Sequence, residues 1–313
     1  MSGFIDAFRA FFDQLTSIAL IPLSLAILCQ LGRIASRATA WRNIVAAAYP
    51  DVTVRWRDVF GAYAAGVGLN AIVPGRGGDL LRLYIARHRI EGSSYPTLGS
   101  SLIVETVFDS AVGILLLGWA LSAGVLPGRS VLPDMPGIDW LWVFHNPRAA
   151  AGMLFLALVA ATILAITGVR KVTAFWQRVR QGLAILAEPR RYLRRVVPWQ
   201  ALDWAFRLTA IFFFLRAFGI PADVHNVFVV QVAQTLSTLL PLTPAGIGTE
   251  QALLVYMFAG SAPAADVLSF SVGAKVVVVT VNLTIGTIAT LATLRAFPWQ
   301  VDVDREAEAP ERA

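Results

Sequence analysis

The charges of this chain are grouped, and that grouping limits its folding options more than any motif does. Leu15 to Leu31 and residues 149–168 carry no charged side chain, and arginines gather between such stretches. Inside a bilayer no water pairs with exposed backbone N–H and C=O groups. A spanning segment must therefore bond to itself, and an α-helix of about 20 apolar residues does so across the hydrocarbon. The chain is 57% hydrophobic and 15% charged, against about 25% charge in soluble domains. The pattern predicts an all-α, polytopic helical membrane protein. Residues 1–300 form one membrane domain and 301–313 a disordered tail.

The net charge of +6 does not point to nucleic acid. The basic clusters lie beside apolar segments, where the cytoplasmic bias of arginine in membrane proteins accounts for them. The lone Cys29 sits in an apolar run and permits no internal disulfide. His88, His145 and His225 are not at metal-ligand spacing. Neither a metal nor a cofactor is expected.

Residues 15–31, 98–123, 149–168 and 199–219 read as spans, with Pro22 expected to kink the first. Residues 226–260 are apolar but broken at Pro241 to Gly248. Residues 264–297 are long for one span and either tilt or hold a short extra helix. Residues 32–58, with Arg33, Arg37, Trp41, Arg42, Arg55, Trp56 and Arg57, read as an interfacial cytoplasmic connector. Residues 124–148 read as an outer loop. Residues 169–198, with Lys171 and a series of arginines, read as an amphipathic cytoplasmic segment. Residues 59–80 are glycine-rich and have basic stretches on both sides, which predicts a re-entrant element. The total is about six to eight membrane segments, and the expected location is a bacterial cytoplasmic membrane.

Two segments echo each other. Pro74-Gly75-Arg76-Gly77-Gly78-Asp79 and Pro244-Ala245-Gly246-Ile247-Gly248-Thr249-Glu250 each place a proline, then glycines, then an acid just before a helix-like run. Proline removes a donor, and glycine permits unusual backbone angles or close approach. The acid suits the positive end of the helix that follows. Paired broken helices in two halves of a membrane protein point to a transport site and to an inverted repeat. The alternative is a pair of ordinary surface loops.

Several charges interrupt the apolar runs. Glu105 and Asp109 are four apart and share one helix face. Lys275 has Asn282 on roughly the same face. Ionisable groups in a membrane are costly and face a bundle interior or a wet cavity. Glu105 and Asp109 are expected to hold Arg76 or Lys275, leaving buried cations to meet a phosphate headgroup. The competing reading is that these charges only lock helices together. Asp203 and Arg207, at i and i+4, read as a local pair. Gln231, Gln234, Thr235, Ser237 and Thr238 either line a groove or bond between helices.

With these motifs the chain resembles the lysylphosphatidylglycerol synthase transmembrane region family, the flippase-like membrane proteins, over residues 15–297. The resemblance rests on Asn70 to Asp79 with Arg82, on Glu105 and Asp109, and on Pro241 to Glu250. It departs at Lys275, where the family typically has an arginine, and at Ala245, where glycine is common. A lysine does not make the bidentate phosphate contact of an arginine. The resemblance implies a standalone member without the soluble synthase domain, so synthesis of lysyl-lipid is not expected. It implies a transporter or flippase of an anionic phospholipid or polyprenyl-phosphate-linked lipid. Asn70, Pro74, Arg76, Gly77, Gly78, Asp79, Arg82, Glu105, Asp109, Pro244, Gly246, Gly248, Glu250 and Lys275 would form the substrate-binding set. Anionic membrane lipids and envelope-synthesis enzymes are the expected partners. The alternatives are a non-catalytic membrane scaffold and an enzyme transferring a group to or from a lipid carrier.

Overall fold

The computed structural model describes residues 19–73, 76–125, 169–239 and 248–295. Among these residues the long elements are all helices: α1 (Leu20–Ala48), α2 (Trp56–Asn70), α3 (Gly77–Arg89), α4 (Tyr95–Ser122), α5 (Val169–Gly182), α6 (Pro189–Arg195), α7 (Val197–Ala217), α8 (Val224–Leu239), α9 (Thr249–Met257) and α10 (Ala264–Arg295). Among the described residues three helices are long and apolar enough to cross a membrane, over Leu20–Ala48, Tyr95–Ser122 and Ala264–Thr293. They make this a polytopic helical membrane protein. The expected span at 149–168, the outer loop, Pro74 and the tail all lie outside the described residues, as do Pro244 and Gly246.

Two expectations are corrected in α1. Pro22 does not kink it, because it falls in the first turn, where a backbone N–H has no intrahelical acceptor to lose. Nor is there an interfacial connector from residue 32. The helix runs unbroken to Ala48 and carries Arg33, Arg37, Trp41 and Arg42 into the protein. Likewise α10 is one helix of 32 residues with no extra element, about 48 Å long at 1.5 Å per residue. The 199–219 run becomes α7, a helix of 21 residues that also holds Asp203, Arg207 and Arg216.

The chain repeats one plan: a long helix, a helical hairpin, then a second long helix. The first copy is α1, α2–α3, α4; the second is α7, α8–α9, α10. Helices α1 and α7 pack together as the central pair. They run antiparallel: Ala19 N–H donates to the Ala217 carbonyl (3.1 Å) at one end, and the Asn43 amide donates to the Arg195 carbonyl (2.6 Å) at the other. Each hairpin follows its long helix, so the two enter the bundle from opposite ends. Helix α2 packs on α10, and α8 packs on α4, so each copy's first hairpin helix lies against the other copy's last helix. This is the arrangement of an inverted repeat. The end shared by the α1 C-terminus and the α7 N-terminus holds Arg55, then Arg87 and Arg89 of the last turn of α3, and the arginines of α6.

Close backbone contact holds α2 on α10. A Cβ added at Gly68 would lie 2.6 Å from Gly286 Cα, and one added at Gly286 would lie 2.4 Å from Gly68 Cα. Lipid tails are as apolar as leucine, so membrane helices gain by such packing rather than by hydrophobic burial. Gly286→Leu is expected to separate the two helices and destabilise the protein by about 1–3 kcal/mol. The check is a thermal melt in detergent against Gly113→Ala, where an added Cβ meets nothing within 4 Å.

Candidate functional site

The first hairpin explains the Asn70-to-Asp79 motif. Asn70 ends α2, and its side chain reaches across the turn. Its Oδ1 accepts from Gly78 N–H (2.7 Å) and its Nδ2 donates to Asp79 Oδ1 (3.2 Å). One residue thus closes the hairpin and satisfies an orphan donor in the first turn of α3. Gly78 has to be glycine here, because a Cβ would fall 2.0 Å from the Gly66 carbonyl oxygen. In the second hairpin Gly248, at φ 93°, donates its N–H to Gln251 Oε1 (2.7 Å). Glu250 lies in the first turn of α9, as Asp79 does in α3.

The intramembrane charges meet partners other than the expected ones. Glu105 and Asp109 hold neither Arg76 nor Lys275. Glu105 takes Arg82 from α3 in a two-point contact (2.8 and 3.1 Å), with the two residues 5% and 4% exposed. The Arg82 guanidinium lies 3.6 Å from the Trp41 ring centroid and 4.7 Å from that of Tyr63, and its Nε is buried without an acceptor. Aromatic faces attract a cation, so this arginine is held by two rings and a carboxylate. Asp109 takes Arg37 from α1, also in two contacts, and accepts from Trp204 Nε1 of α7 (3.0 Å). Arg37 in turn bridges to Asp203 of α7 (3.1 Å), which Arg33 also approaches at 3.5 Å. The expected Asp203–Arg207 pair is therefore absent; Arg207 lies over Trp204 instead, 5.0 Å from its centroid.

Lys275 pairs with Glu250 at 2.9 Å. Both copies of the plan thus join the second hairpin helix to the following long helix by an ion pair, with the signs exchanged: Arg82 to Glu105, and Glu250 to Lys275. Cross-copy contacts also match, because Trp204 of α7 bonds Asp109 of α4 and Gln30 of α1 bonds Asn282 of α10 (2.9 Å). A chain of bonds leads from this centre to the basic end: Tyr192 of α6 donates to Gln200 Oε1 (3.2 Å), and Gln200 Nε2 donates to the Glu105 carbonyl (3.2 Å). Burial, aided by the Asp109 carboxylate, raises the Tyr192 phenol above its ordinary pKa and so keeps it a donor.

Beside these pairs lies a cavity of about 430 Å³ between α4 and α8. Its walls include Gly113, Ile114, Leu117, Val232 and Leu236, with Thr106, Ser110, Thr235, Asp109 and Arg76 as its polar lining. Arg76 is exposed, not buried as expected. It is also left-handed, at φ 62° and ψ 31°, a conformation that disfavours residues with a Cβ by roughly 1–2 kcal/mol. Gly75 and Gly77 flank it, yet the strained position is the arginine. The polar residues of α8 form no interhelical bonds among the described residues; Thr235, Ser237 and Thr238 bond back to carbonyls of their own helix.

Sequence reasoning found Arg82, Glu105, Asp109, Glu250 and Lys275 but not their pairing. It missed Arg33, Arg37, Trp41 and Trp204 as site residues. The available signal for the first three was the lack of any proline from Leu23 to Tyr49, which permits one continuous helix; Trp204 gave none.

The sequence model for the lysylphosphatidylglycerol synthase TM region matches residues 4–286. Glycosyltransferase AglD of Haloferax volcanii is 26% identical over 228 residues, covering 62% of this chain and 36% of that protein. The chain therefore spans about a third of that relative's length. UPF0104 membrane protein MJ1078 of Methanocaldococcus jannaschii is 22% identical over 196 residues, 60% of this chain and 78% of that protein. No solved structure matches.

Removing one partner of a buried pair leaves an uncompensated charge, at a loss of roughly 3–5 kcal/mol. Arg82→Met and Glu105→Leu are each expected to destabilise by that much, and the double variant by clearly less than their sum. Denaturation of the purified proteins in one detergent tests this, and additive losses would mean the two groups are not coupled.

Proposed function

The chain belongs to the lysylphosphatidylglycerol synthase transmembrane region family and is a membrane protein of lipid-related processes; from that premise we propose that it moves an anionic phospholipid or polyprenyl-phosphate-linked lipid across the cytoplasmic membrane. The observation that carries this reading is the cavity between α4 and α8, whose apolar walls suit a lipid chain and whose lining includes the exposed Arg76 guanidinium. An arginine kept in a left-handed turn between glycines is a strained choice, and strain of this kind collects at ligand clamps. A guanidinium is also suited to two-point phosphate contact.

The two hairpins support the same reading. They enter from opposite ends, and each is tied to a long helix by one ion pair. Broken helices meeting from both sides are the usual frame of a transport site. Arg82, Glu105, Glu250 and Lys275 then orient the hairpins, and Arg76 takes the headgroup. Asn70, Gly77, Gly78, Asp79 and Gly248 shape the two turns.

A second reading, a membrane partner for lipid-linked group transfer, is favoured by one observation. The relative named a glycosyltransferase carries the matched region as about a third of its length. In that case the charges would serve assembly alone.

The decisive variant is Arg76→Asn, which removes the charge and suits the left-handed backbone. In vesicles reconstituted with the full chain and a fluorescent anionic phospholipid, it is expected to slow lipid exchange between leaflets at least about tenfold, equivalent to 1.4 kcal/mol. Arg76→Lys should retain part of the activity. Wild-type exchange from a correctly folded Arg76→Asn protein would end the reading, and no exchange by the wild type would favour the partner reading.

A further inference from the structure

Helix α6 carries an arrangement that none of the central pairs uses. Within seven residues it holds Arg190, Arg191, Arg194 and Arg195, all exposed. Positions i, i+1, i+4 and i+5 fall on one side of a helix of 3.6 residues per turn. They line an open depression of about 620 Å³. Among the described residues the only acid paired with any of them is Glu188, 3.5 Å from Arg191. Arg33, Arg37 and Arg82 by contrast all have carboxylates. Four neighbouring cations with one acid give this face a local excess of positive charge, which attracts anions.

The surroundings indicate where those anions come from. Leu193 is 58% exposed and Trp199 38% exposed beside the arginines, and α6 sits at the arginine-rich end of the bundle, against the C-terminal part of α1. Exposed apolar and aromatic side chains next to arginine mark the boundary between hydrocarbon and headgroups. A soluble polyanion would have no use for Leu193 and Trp199. The inner side of α6 is anchored by Tyr192 on Gln200, which keeps the arginines turned outward.

We propose that α6 and the start of α7 form a peripheral site for the phosphates of anionic lipids in the adjoining leaflet. It is separate from the cavity at Arg76 and independent of whether the protein moves lipid. Bound lipid satisfies the unpaired guanidiniums, while Leu193 and Trp199 rest on its upper acyl carbons.

The test uses the full chain in nanodiscs of phosphatidylcholine doped with phosphatidylglycerol, with retained lipid counted by native mass spectrometry after release. Wild type should retain phosphatidylglycerol over phosphatidylcholine, and the variant R190Q/R191Q/R194Q/R195Q should lose that preference at least about tenfold while eluting and melting as a folded protein. The comparison is repeated in an Arg76→Asn background, where the four substitutions in α6 should still lower the preference to the same degree, which separates this site from the transport reading. A control, R55Q/R57Q, removes two exposed cations from the same end. Equal loss in the control would mean diffuse attraction and overturn the proposal. So would an unchanged preference in the four-site variant, or full displacement of the lipid by millimolar inorganic phosphate. If the four-site variant fails to fold, the paired variants R190Q/R191Q and R194Q/R195Q carry the same expectation, each with partial loss.

Discussion

A charge in hydrocarbon has to be matched, and the arrangement of this bundle follows from how the matching is done. Arg37 is the centre of it. From α1 it reaches Asp109 on α4 and Asp203 on α7 at once. Arg82 joins α3 to α4 through Glu105, and Lys275 joins α10 to α9 through Glu250. Breaking the enclosed Arg82–Glu105 pair leaves a charge without water or partner, at a cost of roughly 3–5 kcal/mol. The helices therefore cannot slide or rotate past one another by a residue. Such pairs add little net stability over a well-packed apolar contact; what they supply here is register.

That register also fixes where the two hairpins stand against the long helices. Hairpin turns within a membrane are tolerated only where protein or a water-lined cavity surrounds them. The start of α3 is closed by Asn70 and the start of α9 by Gln251, which gives the Gly78 and Gly248 N–H groups their acceptors. Glycines at Gly66, Gly68, Gly78 and Gly286 bring the backbones close enough for this to work. Because α1 and α7 are antiparallel, the same hairpin plan arrives from both ends, and the cavity forms where α8 of one copy meets α4 of the other.

Much of the site was legible because its signals are local. Glu105, Asp109 and Lys275 stand out as charges in apolar runs, and the two proline-glycine segments stand out as breaks. The pairings were not legible. Arg82 and Glu105 are separated by 23 residues, Arg37 and Asp203 by 166, and Gln30 and Asn282 by 252. No periodicity reports which distant helices become neighbours. Arg33 and Arg37 were misplaced for a related reason. In linear order they adjoin Trp41, Arg42, Arg55 and Trp56, and so look like an interfacial stretch. In three dimensions the first two find carboxylates and enter the bundle, whereas Arg55 and Trp56 stay at the surface.

By itself the sequence determined the solvent, the secondary structure and the places where helices break. Hydropathy, proline and glycine act over one or two turns, and the requirement to bond every backbone group in lipid leaves only helices. Tertiary structure decided which carboxylate each arginine holds, that Arg76 opens to a cavity while Arg82 is enclosed, and that the hairpins enter from opposite ends. Those outcomes depend on the antiparallel contact of α1 with α7, whose paired residues lie far apart in the chain and become neighbours only once the bundle has formed.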